Sequence, residues 1–122
     1  MNILLVEDDE MLRRSLAFYL KSNQFHVEAF DNGSDAISHI ATATNSIDLV
    51  ITDLNLPFAG GKQVLQAVKD IGEVEIPVIV LTSSGVEATE LELFELGADE
   101  FVTKPFSPPV LLKRINKLMV KQ

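Results

Sequence analysis

Five polar side chains that could act together lie far apart in the chain, each at the end of a short, strongly apolar run. Ile3-Leu4-Leu5-Val6 leads into Glu7-Asp8-Asp9, and Leu49-Val50-Ile51-Thr52 leads into Asp53. Val78-Ile79-Val80-Leu81 leads into Thr82, and Phe101-Val102-Thr103 leads into Lys104-Pro105. If these runs are buried parallel strands, their C-terminal ends share one edge of a sheet. Three carboxylates, a hydroxyl and an ammonium then converge there. That set suits phosphoryl transfer, which depends mainly on positioning and charge neutralisation.

Glu7, Asp8 and Asp53 cannot simply be brought together. Two like charges about 4 Å apart repel by roughly 4 kcal/mol at an effective dielectric near 20. Without a counter-ion one carboxyl must take up a proton. A divalent cation resolves the conflict, and all-oxygen ligands favour Mg²⁺, Mn²⁺ or Ca²⁺ over zinc. The competing reading of Glu7-Asp8-Asp9-Glu10 is helix capping, since acids are favoured at an N-terminus. Asp9 and Glu10 are assigned to that role alone. For Asp53 the alternative is a turn aspartate ahead of Asn55 and Pro57. The company of Asp8, Thr82 and Lys104 favours the site.

The elements that would hold these residues alternate strictly. Apolar runs near residues 2–6, 48–52 and 77–81 are rich in Ile, Leu and Val, as in strands covered on both faces. Phe25–Phe30 alternates, which suits an edge strand, and Phe101-Val102 forms the opposite edge. Between them, helical spacing recurs in Leu12/Leu16/Tyr19, Ile37/Ile40/Ala41 and Val64/Leu65/Val68. It recurs again in Leu91/Phe94/Ala98 and Leu111/Ile115/Leu118. Five strands and five helices with right-handed crossovers give an α/β, doubly wound fold, whose ligands sit at the carboxyl ends of the strands.

The 122 residues form one domain, with no linker or repeat. A formal charge of −8 argues against nucleic-acid binding by this segment. The chain has no cysteine, hence no disulfide or thiolate chemistry, and the first apolar run is too short for a signal peptide or membrane span. A cytoplasmic location is expected. All 18 acids precede residue 101, whereas five of the ten bases follow it, so the two segments could pair within the fold or across a dimer.

VEDD near the start, DLNLP after the third strand, LTSSG after the fourth and FVTKPF after the fifth resemble the receiver domain of bacterial two-component response regulators. The likeness runs from about Ile3 to Met119. It implies a flavodoxin-like (βα)5 sandwich with strand order 2-1-3-4-5. Asp53 would be the phospho-acceptor for a phosphohistidine on a sensor histidine kinase. Glu7 and Asp8 match the acidic pair for Mg²⁺ (Mn²⁺ as substitute), with Asn55 lending its backbone carbonyl. Lys104 matches the lysine that contacts a phosphoryl oxygen, and Pro105 would follow a cis peptide bond. Thr82 matches the switch hydroxyl and Phe101 the aromatic that moves with it. Arg13 and Arg14 fall on a helix that in this family contributes to kinase docking, although solvated charge explains them equally well. His26 and His39 lack partners at ligand spacing.

The sequence also departs from the family pattern. Phe58-Ala59-Gly60-Gly61 lacks an acid common in this loop, and Gln63 stands where another acid is frequent, so a more mobile loop is expected. Ser83 replaces a usual alanine, while Ser84 and Asn55 occupy positions that tune hydrolysis of the acyl phosphate. The tail resembles regulators with a C-terminal winged-helix DNA-binding domain, so the chain is either a stand-alone receiver or part of a longer regulator. Such regulators dimerise through the fourth helix, fifth strand and fifth helix. Asp99, Glu100, Arg114 and Lys121 keep the charge sense of that interface, but Glu90, Val110 and Lys113 do not. A true enzyme is not expected, since an aspartate-nucleophile phosphatase needs a second acid where Asn55 stands. A flavodoxin-type flavin site is disfavoured because Glu7-Asp8-Asp9 would repel the flavin phosphate.

Overall fold

The computed structural model describes residues 1–72, 74–83 and 87–119, with side chains at 87 and 88 excepted. Five parallel strands form one sheet: β1 (Asn2–Val6), β2 (His26–Phe30), β3 (Leu49–Asp53), β4 (Val78–Thr82) and β5 (Glu100–Thr103). Their order is β2-β1-β3-β4-β5, so the sense in which the chain winds across the sheet reverses between β1 and β3, while all strands stay parallel. Asp53 pairs in register with Leu81, and Thr82 with Thr103. Asp53 and Thr82 are thus the last residues of their strands rather than the first beyond them.

Five α-helices cover the sheet: α1 (Glu10–Ser22), α2 (Gly33–Thr42), α3 (Gly61–Lys69), α4 (Glu87–Glu95) and α5 (Pro108–Met119). A single turn of 3₁₀ helix at Thr44–Ser46, which no sequence pattern announced, precedes β3. The period of two along each strand divides the core. Leu4, Val6, Val50, Val78 and Val80 face α2, α3 and α4 through Ala36, Ile40, Val64, Leu65 and Leu93. Ile3, Leu5, Ile51, Ile79 and Leu81 face α1 and α5 through Leu16, Leu20, Leu111 and Ile115.

Spacing misread α4. Leu91 and Phe94 stay 56% and 45% exposed, and the side chain that reaches the core is Leu93. The helix ends at Glu95, and Gly97 at φ 107° turns the chain so that Ala98 enters the core from outside the helix. The apparent period of three to four had run across a helix end.

The loop after Asp53 is tied at several points. Phe58 and Ala59 adopt φ of 50° and 80°, a left-handed conformation that costs a non-glycine residue energy. Gly33 N–H donates to Pro57 O at 3.3 Å, and the Ala59 carbonyl packs where a Cβ on Gly33 would stand. Gln63 Oε1 accepts the Gly60 N–H at 2.7 Å, half of a capping box, which an amide performs as well as an acid.

Two adjacent glycines in this loop differ in what they permit. A Cβ on Gly61 would lie 2.3 Å from Asp53 O and 2.7 Å from Leu54 Cα, whereas one on Gly60 meets only Leu54 O at 3.5 Å. Gly61→Ala should cost about 1–3 kcal/mol in urea denaturation through forced backbone shifts. Gly60→Ala should cost less than about 1 kcal/mol, the difference between two weak N-caps. Equal costs would contradict this packing.

Candidate functional site

Strand β1 ends by pushing Glu7 into the core edge, where it is fully buried, while Asp8 remains exposed. Asp9 then begins α1, its carboxylate accepting the Leu12 N–H at 3.1 Å. Glu7 Oε2 accepts the Asp9 N–H, also at 3.1 Å, so the loop folds back on itself. From the neighbouring strand, Asp53 arrives 6% exposed. One carboxylate oxygen from each of Glu7, Asp8 and Asp53 lies within 4.8 Å of the others.

Lys104 reaches this cluster from the far side. Its Nζ lies 2.7 Å from Glu7 Oε1 and 3.1 Å from Asp53 Oδ2. The contact with Glu7 is a close ion pair off the ideal hydrogen-bond angles, so buried Oε1 depends on Lys104 alone for compensation among the described residues. Sequence reasoning assigned Lys104 to a phosphoryl oxygen and left the acids to be balanced by a metal. In the fold the ammonium is already their first counter-ion. The Lys104–Pro105 peptide bond is cis.

One charge against three leaves an imbalance. Burial raises the Glu7 carboxyl above its ordinary 4.5, and the Asp53 charge adds to it, against opposing pulls from Lys104 and the Asp9 N–H. Burial acts to lower the Lys104 ammonium, but contacts with Glu7 and Asp53 outweigh it and hold the group above 10.5. The donor set is all oxygen, two of its members are buried, and three carboxylates share one ammonium. Those are the features a hard divalent cation fits.

Residues 3–116 match the model of the response regulator receiver domain. The chain belongs to that family. This receiver domain is 38% identical over 119 residues to response regulator RR06 of Streptococcus pneumoniae, covering 98% of the chain and 53% of the relative. It is 33% identical over 117 residues to transcriptional regulatory protein ResD of Bacillus subtilis, covering 96% and 47%. The chain thus spans about half the length of the curated relatives it matches. Among solved structures, the BeF3-activated N-terminal receiver domain of Klebsiella pneumoniae RstA superposes with a TM-score of 0.87 at 30% identity, all of each chain covered. The non-phosphorylated HemR receiver domain of Leptospira biflexa gives 0.85 at 33%, covering 99% and 95%.

Within this receiver domain, Thr82 is fully buried and Phe101 half-buried. Strand parity puts both on the α4 side of the sheet, Phe101 beside Val80 and Thr103 beside Thr82. The Phe101 ring meets Phe94 of α4 edge-on, with centroids 5.1 Å apart. Asn55 is exposed in the loop beyond β3. Ser84 and Lys121 lie outside the described residues.

The remaining interface candidates make their contacts within the chain. Arg114 Nη1 meets Glu100 Oε1 at 3.1 Å. Asp99 Oδ2 accepts the Val78 N–H at 2.8 Å and stands 3.5 Å from Lys69 Nζ. Of the two histidines, His26 sits 3.6 Å from exposed Glu28, and His39 packs against Phe30. No described helix is long and apolar enough to cross a membrane. Sequence reasoning missed the specific place of Arg13, whose Nη1 donates to Glu7 O at 3.0 Å and to Asp8 O at 3.5 Å. Its spacing of five from Asp8 was visible, but its partners are backbone atoms, which no side-chain pattern reveals.

The raised Glu7 carboxyl carries a pH consequence for the metal-free protein. A raised carboxyl binds its proton more tightly when folded, so its contribution to stability is complete below 4.5. That contribution is lost as pH climbs through the raised value. Glu7→Gln, a stand-in for the neutral form, should therefore melt higher than wild type in chelator near about pH 7 and flatten the profile above 4.5. Thermal melts across that window decide it; an unchanged slope in Glu7→Gln would remove Glu7 as the source.

Proposed function

We propose that this receiver domain takes a phosphoryl group onto Asp53 from the phosphohistidine of a sensor histidine kinase. The carrying observation is the convergence of Asp53, Lys104 and the Glu7/Asp8 pair on one sheet edge from three separate strand ends. Glu7, Asp8, Asp53 and the backbone carbonyl of Asn55 would hold Mg²⁺, with Mn²⁺ able to substitute. The cation would supply charge neutralisation at the phosphoryl oxygens.

Ionised Asp53 offers an oxygen in line with phosphorus. The O–P bond forms as the P–N bond breaks, and the electron pair remains on the imidazole nitrogen, which takes a proton from solvent. A carboxylate nucleophile has no proton to lose, so no general base is required. Lys104 turns an N–H toward a phosphoryl oxygen, and its contacts with Glu7 and Asp53, which outweigh the opposing effect of burial, keep it charged for that task. Thr82 lies at the neighbouring strand end, where its hydroxyl would donate to the phosphoryl group and draw Phe101 with it. The readout is a change at α4, β5 and α5 that controls an output, transcription being favoured by relatives named as transcriptional regulators. A stand-alone receiver working through protein contact is the second reading, and the same chemistry serves it. An aspartate-nucleophile phosphatase is disfavoured because Asn55 offers no acid or base.

Incubation with acetyl phosphate and Mg²⁺ should add one phosphoryl group by intact mass, lost with chelator or in Asp53→Asn. A gain that survives Asp53→Asn, or repeated turnover of phosphate esters, would reject the assignment.

The same reading has two phosphorylated copies pairing through α4, β5 and α5. Leu91, Phe94 and Val110 are exposed on these elements, and Arg114 is 3.1 Å from Glu100 in each copy. Arg114→Glu puts like charges together there and should weaken pairing on activation by about tenfold, the loss of roughly 1.4 kcal/mol. Sedimentation of the phosphorylated protein measures this; an unchanged dimer constant excludes Arg114 from the interface.

A further inference from the structure

Three successive carbonyl oxygens in the β1–α1 loop converge on one residue. The Arg13 backbone N–H takes Asp9 O at 2.8 Å, and its Nη1 takes Glu7 O at 3.0 Å and approaches Asp8 O at 3.5 Å. The Asp9 N–H is used by Glu7 Oε2, and the Asp9 carboxylate by the Leu12 N–H. With the backbone held on one side, the Glu7 and Asp8 carboxylates face the acidic cluster with Asp53, where Lys104 meets Glu7 Oε1.

A guanidinium this close to acids would ordinarily pair with them and compete with any cation for their oxygens. Arg13 instead makes its hydrogen bonds to carbonyls. Its next neighbour, Arg14, is exposed and shares no such contact. We infer that Arg13 is a positioning residue for divalent-cation binding, clamping the backbone of Glu7 and Asp8 so that their carboxylates stay aimed at one point. The inference rests on the cation site proposed above. Partners that orient metal ligands commonly contribute about 10–100-fold in metal affinity.

The sign of the effect separates this role from simple charge. Were Arg13 only a solvated cation, its removal would relieve repulsion and tighten divalent-cation binding. As a clamp, its removal loosens it. Mn²⁺ binding followed by the electron-spin resonance signal of the free ion reads this directly on the 122-residue chain. Arg13→Ala should weaken Mn²⁺ binding by about tenfold or more, while Arg14→Ala leaves it equal or slightly tighter. Arg13→Lys, which keeps a donor, should recover part of the loss. If Arg13→Ala melts below the assay temperature, Arg13→Gln is read in its place with the same sign expected. Wild-type affinity or tighter in the Arg13 variants, with wild type itself binding, overturns the clamp and leaves the cation site standing. A wild-type chain that binds no Mn²⁺ overturns both.

Discussion

The site is organised around a charge imbalance that the backbone does not allow to relax. Glu7, Asp8 and Asp53 are fixed at adjacent strand ends, and a single ammonium, Lys104, stands among them. Side chains on mobile loops could move apart to relieve roughly 4 kcal/mol of repulsion per close pair. Here β1 and β3 are locked in register from Ile3–Leu49 through Val6–Thr52, and the Glu7–Asp8 segment just beyond is held by the Asp9 N–H and by Arg13. In Glu7, burial first and the Asp53 charge after it push the carboxyl toward its neutral form. A site held in this condition favours added positive charge, and that preference is the physical basis for the proposed cation-assisted phosphoryl chemistry.

Rigidity of that kind has to be supplied from below. Val6, Thr52, Asp53 and Thr82 are all buried, so the active edge is an extension of the core rather than a fringe of loops. The segment after Asp53 returns against the strand closely enough that a Cβ on Gly61 would strike Asp53 O. Its outer turn is seated on α2 through Gly33, Pro57 and Ala59. The missing loop acid thus leaves a segment still tied at both ends. The left-handed Phe58 and Ala59 indicate that the tie is strong enough to impose an unfavourable backbone on two non-glycine residues.

The strands were legible because a parallel sheet covered on both faces needs continuous Ile, Leu and Val, and few other structures do. The site residues were legible for the same reason: a charged group at the end of such a run has little structural purpose. What escaped the sequence depends on contacts made across space. Arg13 looked like any helix-surface arginine because its partners are carbonyls. Lys104 was assigned to a ligand, and its bridge to buried Glu7 emerged only when both strand ends were placed. Arg114 and Glu100 pair within the chain, a choice between intramolecular and intermolecular contact that charge order left open. In α4, acids at Glu90, Glu92 and Glu95 surround a helix with one buried described side chain, so no clean apolar stripe marked which face turns inward.

That weak anchoring of α4 bears on how the proposed chemistry could be read by a partner. An element is easily shifted when the contacts it loses are worth no more than those it gains. Among its described side chains, α4 is held by Leu93, by the edge-on contact of Phe94 with Phe101, and by Lys62–Glu92 at 2.6 Å. An aromatic pair of this kind contributes about 0.5–1.5 kcal/mol beyond its buried area, and an exposed ion pair about 0–1. Reversing a 1:99 population needs about 5.5 kcal/mol of differential binding, a few charge-assisted hydrogen bonds at about 1.5–3 kcal/mol each. A phosphoryl group bonded to Lys104 and Thr82 lies within that range. Thr82 and Phe101 share one face on adjacent strands, so motion at the first alters the space available to the second. The stiff β1–β3 ladder confines the proposed chemistry, and the loosely held α4 is where its energy can change the surface.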